Sequence, residues 1–202
     1  MVRAKKAAVP SHLLFEGQQL QHAGDLLSIA LLLKDRGKGA STGEPLIFEV
    51  ASGRQIDIDL RGSRAALEAR FGTPANAVEQ SVDVPAHTGR GRPRLGVVGR
   101  EVTLLPRHWT WLESQRGGAS AALRRLVDQA RQANADEDRR RAAQDRGHRF
   151  MTVMAGDLPG YEEATRHLFA DERSSFLKQT RAWPKDVRVY ARALAADAFS
   201  EA

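Results

Sequence analysis

The stretch GREVTLLPRHWTWLESQRGGASAALRRLVDQAR, residues 99–131, carries four local signals in succession. Residues 100–105 read as a short extended run that Pro106 ends. Pro106 suits the first turn of a helix, where its missing N–H would have had no intrahelical acceptor. Trp109 and Leu112, three residues apart, give that helix an apolar face, and Gly117-Gly118 can stop it with positive φ. Ser120 then serves as N-cap for a second helix, in which Leu123, Leu126, Val127 and Ala130 recur at i, i+3, i+4 and i+7. Arg124, Arg125 and Arg131 fall on the other side. The plan is strand, helix, glycine turn, helix.

Upstream, residues 73–98 hold Pro74, Pro85 and Pro93 among glycines and threonines, so they read as a linker with a basic arm. Residues 11–72 read as a small α+β domain. Runs 12–15 and 18–21 flank Glu16-Gly17 as a first hairpin. Asp25 is a good N-cap for a leucine-dense helix over 26–34. Runs 46–50 and 55–60 flank Ser52-Gly53, with Ile56, Ile58 and Leu60 alternating with Asp57 and Asp59. Ser63 caps a short helix to Phe71, giving the order ββαββα. Downstream, 136–200 reads as a helical domain, with breaks at residues 156–160 and before Pro184. The fold class is α+β: a ββαββα unit, the strand-helix-helix segment 99–135, and a helical C-terminal part.

Charge locates the interesting segment. Of 202 residues, 31 are Lys or Arg and 25 Asp or Glu, a net +6. Residues 1–86 carry 10 of each sign and residues 132–202 carry 12 of each. The whole excess therefore lies in 87–131, where 9 arginines face only Glu101, Glu113 and Asp128. Arginine is the better fork for phosphate and guanine, and a basic block between neutral flanks is the footprint of nucleic-acid contact. A solvated arginine-rich face is the alternative. With 42% hydrophobic residues the chain can bury a core, and with no cysteine it has no disulfide, thiolate metal site or cysteine nucleophile. No apolar stretch is long enough to span a bilayer, and Pro10-Ser11-His12 stand where a secretory signal would be apolar. A cytoplasmic protein with no membrane partner is expected, nucleoid-associated if it binds DNA.

The segment 99–131 resembles the ribbon-helix-helix DNA-binding family of bacterial repressors and antitoxins, in which two chains pair their strands and the ribbon enters the major groove. The resemblance implies a homodimer. It also implies that Arg100, Val102 and Leu104 face the bases, with Leu105 in the core, and that the helix start near Ser120 holds a phosphate. Arg107 and Arg124 join them as DNA-binding candidates. An ordinary helical hairpin within a core would use the same pattern. Arg90-Gly91-Arg92-Pro93-Arg94 looks like an AT-hook, whose arginines lie in a narrow A·T minor groove. A flexible basic linker reads the same way. Over roughly 185 residues the chain is similar to bacterial domain of unknown function family 2239. Residues 91–98, 101–109, 118–127, 154–160 and Trp183-Pro184 carry that likeness, which implies no activity.

Enzyme chemistry finds little footing. The six histidines show no HxxxH or HExxH spacing, and there is no GxSxG elbow, phosphate-binding loop or dinucleotide fingerprint. Asp57 and Asp59 fit the wet face of a hairpin better than a metal pair. Asp157, Glu162 and Glu163 suit the start of a helix, and Tyr161 and Trp183 suit a core. No enzyme and no cofactor are expected. Two functions follow from these readings. One is a transcriptional regulator or antitoxin-like repressor, binding duplex DNA, A·T-rich sites included, as a homodimer. The other is a protein-interaction adaptor with no nucleic-acid role.

Overall fold

The computed structural model describes residues 10–37, 43–72 and 98–200. They fall into two units: Met1–Ala75 together with Asp136–Ala202, and Asn76–Ala135. Among the described residues the fold is mixed α+β, with four strands in one antiparallel sheet and eight α-helices.

The first unit opens with β1 (His12–Glu16) and β2 (Gln19–Gly24), joined by Gly17-Gln18. The turn sits one residue later than Glu16-Gly17, because Gly17 takes φ 55° and Glu16 stays on the strand. There the Glu16 carboxylate accepts a 2.7 Å hydrogen bond from Arg36. Helix α1 (Leu26–Arg36) follows, then β3 (Pro45–Glu49) and β4 (Gln55–Ile56). Strand order is β2-β1-β3-β4. The alternating run 55–60 pairs over only two residues, Ile56 with Ile47 and Gln55 with Phe48. Beyond Ile56 the chain leaves the ladder, and Asp59 turns to accept hydrogen bonds of 2.9 and 3.0 Å from Arg61. Helix α2 (Arg64–Phe71) is capped by Ser63, whose side chain accepts from the Ala66 amide.

Leu13, Leu14 and Phe15 are consecutive and all fully buried, which a strand manages only when both faces of its sheet are covered. Leu14 and Ile47 point to one side, under Ile29 of α1. Leu13, Phe15 and Phe48 point to the other, into a cluster supplied by the C-terminal helices. Those are α5 (Ala135–Ala155), α6 (Tyr161–Phe169), α7 (Arg173–Gln179) and α8 (Lys185–Leu194), with 3-10 turns at Thr180–Ala182 and Ala196–Ala198. Phe150 of α5 is central, its ring 4.9 Å from Phe48 and 5.6 Å from Phe15. Residues 11–72 and 136–200 thus share one hydrophobic core.

Two of the segments that carry the family likeness meet in this unit. The indole Nε1 of buried Trp183 donates to the Pro159 carbonyl at 2.9 Å. Gly160, with φ 79°, then starts α6 without a side-chain cap, and Glu162 and Glu163 occupy its first turn. Buried Thr180 accepts from Arg192 Nε at 2.9 Å. At α1, Asp25 accepts from the Ser28 amide at 2.7 Å, so Asp25→Ala is expected to cost about 1 kcal/mol. Chemical denaturation of the variant measures this, and an unchanged midpoint would mean the cap contributes nothing.

The second unit holds α3 (Pro106–Glu113) and α4 (Gly118–Ala133), which pack on each other. Leu112 and Ala122 are its buried side chains among the described residues. Pro106 occupies the first turn of α3. Residues 98–105 have no regular secondary structure. The strand expected over 100–105 is therefore not formed, and among the described residues no strand pairs with this segment.

Candidate nucleic-acid interface

Helix α3 is eight residues long and stops at Glu113, ahead of the Gly117-Gly118 pair. Ser114 Oγ donates to the Trp111 carbonyl at 2.7 Å, which closes the end of the helix. Gly117 and Gly118 then take φ of 89° and 74°, backbone that side chains disfavour. Helix α4 starts from them, with Gly117 rather than Ser120 as its N-cap and no side-chain cap bond. Ser120 lies exposed inside the first turn instead. The correction has a simple cause: two glycines turn the chain into the helix before it reaches the serine.

Arg90, Arg92 and Arg94 lie outside the described residues. Arg100, Arg107 and Arg124 are exposed, as is Val102, and Leu104 is half-buried. Helical geometry puts Arg124 and Arg131, seven residues apart, in one row along α4, roughly 10 Å from end to end. Arg125 points elsewhere and donates to the Arg116 carbonyl at 3.0 Å, spanning the glycine turn.

Among the described residues, every ion pair lies in the first unit. There, Arg36, Arg61, Arg64, Arg70, Arg139, Arg141, Arg146, Arg149 and Arg166 each have a carboxylate within 4 Å. Among the described residues 98–135, no arginine is in an ion pair. Asp128 stands four residues after Arg124, a spacing that permits pairing on a helix, yet the two do not close. Apart from Arg125, held on the Arg116 carbonyl, these guanidiniums keep their forks open.

Beside them lies apolar surface. Leu126 and Val127 of α4 are 42% and 54% exposed, and Trp111 of α3 is 51% exposed. The apolar stripe read from the sequence thus faces outward over most of its length, with Leu123 half-buried. The exposed Trp111 carried no periodicity signal, because Trp109 and Leu112 set the apolar face expected for α3.

Among the described residues, no group of acidic or histidine side chains could hold a metal ion, and no helix is long and apolar enough to cross a membrane. Asp57 and Asp59 form no such group. No curated protein and no solved structure matches the chain. A family model described as an uncharacterised protein conserved in bacteria, DUF2239, matches residues 11–195. Some nine-tenths of the sequence is covered by that match, and the chain belongs to the DUF2239 family of proteins conserved in bacteria.

Proposed function

We propose that the chain is a DNA-binding regulator, acting on duplex DNA through the arginine-rich unit 98–135 with Arg90, Arg92 and Arg94 as an adjoining arm. The observation that carries this reading is the set of unpaired arginines: every ion pair among the described residues lies in the other unit. A folded surface that keeps its guanidiniums off carboxylates leaves them to an external anion, and the phosphate backbone supplies anions in a row. Arg124 and Arg131 on α4 are the positioning pair. Sequence readout falls to the segment that carries Arg100, Val102 and Leu104. In a ribbon-helix-helix arrangement, residues 100–105 of two copies would pair with each other. The apolar stripe of α4 supports a homodimer too, since an uncharged face meets its own copy without repulsion. Residence at the nucleoid goes with this function.

The full chain should therefore bind duplex DNA in a gel shift, with affinity falling steeply as salt rises. Arg124→Ala with Arg131→Ala should weaken binding at least tenfold and lower the slope of log affinity against log salt by about 2, close to one for each phosphate left unneutralised. Unchanged affinity and slope in the double variant would remove α4 from the interface. The adaptor reading draws on the exposed Trp111, Leu126 and Val127, which would then meet a different protein. A wild-type chain that passes a DNA column at low salt and sediments as a monomer would favour it.

A further inference from the structure

The first unit holds a cleft that the DNA reading does not use. It is about 340 Å³, only partly open, and is lined by Asp136, Arg139, Arg140, Arg173, Asp197 and Ser200, with Ala196 and Phe199. The balance of charge within it is uneven. Asp136 is taken by Arg139 at 2.6 Å, and Asp197 by Arg146 at 2.7 Å. Arg140, on α5, and Arg173, which opens α7, are left without an ion pair or hydrogen bond to any group. Arg140 is moreover half-buried, so its charge has lost part of its water, and no carboxylate closes on it within ion-pair distance. Asp171 is the remaining acid nearby. Hydrogen bonds from the Ser200 side chain and amide hold its carboxyl below the usual carboxylate range, and the Arg140 charge adds a smaller pull. Those bonds occupy both Asp171 oxygens and fix Ser200 at the rim.

Two unpaired guanidiniums on different helices, a fixed hydroxyl, and the Phe199 ring on the apolar side make a concave site of mixed polarity. Its volume stands at the low end of the range for small-ligand pockets, about 300–1,000 Å³. We propose that this cleft binds a small phosphate-bearing metabolite. Its phosphate bridges Arg140 and Arg173, Ser200 keeps its hydroxyl hydrogen on Asp171 and shapes the rim, and the organic part lies on Phe199 and Ala196. Arginine suits this task because its planar fork matches phosphate oxygens two at a time. The proposal stands independently of DNA binding, since none of its residues lies in the unit 98–135.

The test uses the full chain, with inorganic phosphate and glycerol 3-phosphate as probes at constant ionic strength. Both should raise the melting temperature saturably, the organic phosphate at lower concentration. Arg140→Ala with Arg173→Ala should lose the rise or need at least tenfold more probe. Its melting temperature without probe should lie close to that of the wild type, since neither side chain makes an ion pair or hydrogen bond within the fold and the Arg140 pull on Asp171 is the smaller one there. Arg181→Ala, an exposed arginine that is not part of the cleft, should respond as wild type. No saturable rise in the wild type, or an equal rise in the double variant, overturns the proposal. A second arm measures DNA. If the double variant loses DNA binding and the wild type ignores both small probes, the two arginines belong to a DNA surface and the metabolite site is wrong. A wild type that binds phosphate but not DNA leaves the cleft standing and removes the regulator reading instead.

Discussion

Phe150→Ala is expected to destabilise the first unit by about 3–5 kcal/mol, the usual cost of removing a fully buried ring from a packed core. The ring does more than fill volume. Phe15, Phe48 and Phe150 form a three-way contact, with Phe15 and Phe48 meeting edge-on at 6.0 Å and Tyr190 closing on Phe15 at 5.9 Å. Phe15 and Phe48 belong to the sheet, Phe150 to α5 and Tyr190 to α8. Truncation therefore opens a cavity where elements far apart in sequence are held together. Urea denaturation followed by far-ultraviolet circular dichroism and by tryptophan fluorescence should show one transition, shifted to lower urea in both signals. With Trp109 and Trp111 of the second unit replaced by phenylalanine in both proteins, Trp183, buried in the same cluster, reports the helices, while the dichroism also reports the sheet. A loss under about 1 kcal/mol, far below the cost of a buried phenylalanine, would mean that sheet and helices do not share this core.

Gly53→Ala should cost a comparable amount for a different reason. Gly53 has φ 68°, and a Cβ placed there would lie 2.0 Å from the Arg146 carbonyl oxygen. The obstacle is the backbone of α5, so no side chain can swing away to relieve it. Arg149 fixes the same approach by donating to the Ser52 carbonyl at 3.0 Å. Left-handed backbone in a non-glycine residue costs roughly 1–2 kcal/mol and overpacking a further 1–3, so a total of about 2–5 kcal/mol is expected. Gly17→Ala separates the two contributions. Gly17 has φ 55° but nothing within 4 Å of its would-be Cβ, so it should show the backbone cost alone. Equal losses at the two positions would mean that the turn at Gly53 can retreat from α5.

The two hairpins were legible because each turn carries a glycine, and both Gly17 and Gly53 take positive φ. Asp25 and Ser63 were legible as caps because a short oxygen-bearing side chain ahead of an apolar run has few other uses. The extent of the second hairpin was not. Ile56, Ile58 and Leu60 alternate as a strand would, but β4 lies at the sheet edge, and pairing there depends on neighbours that periodicity does not report. The opposite signal stands in the first strand: Leu13-Leu14-Phe15 is an unbroken apolar run, the mark of a strand covered on both faces. At the candidate interface, the arginine block was visible as composition. That its members are unpaired was not, since Asp128 stands at a permitted spacing from Arg124. Arg140 was harder still, because it sits in a run balanced by Asp136, Glu137 and Asp138, and only the fold decides which cations keep a partner.

The order in which the chain is made gives the shared core a further consequence. Phe48 is synthesised 102 residues before Phe150. At translation rates of about 5–20 residues per second, the sheet waits roughly 5–20 s for the helix that covers its second face. During that interval Leu13, Phe15 and Phe48 face water, and the entire arginine-rich unit is made before they are covered. The arginines are thus synthesised while the apolar sheet is still unfinished. A nascent protein of this design is expected to need chaperone shielding for the length of that delay. Slower translation across residues 76–135 should lower its soluble yield, even though none of the described residues of that segment belongs to the core it postpones.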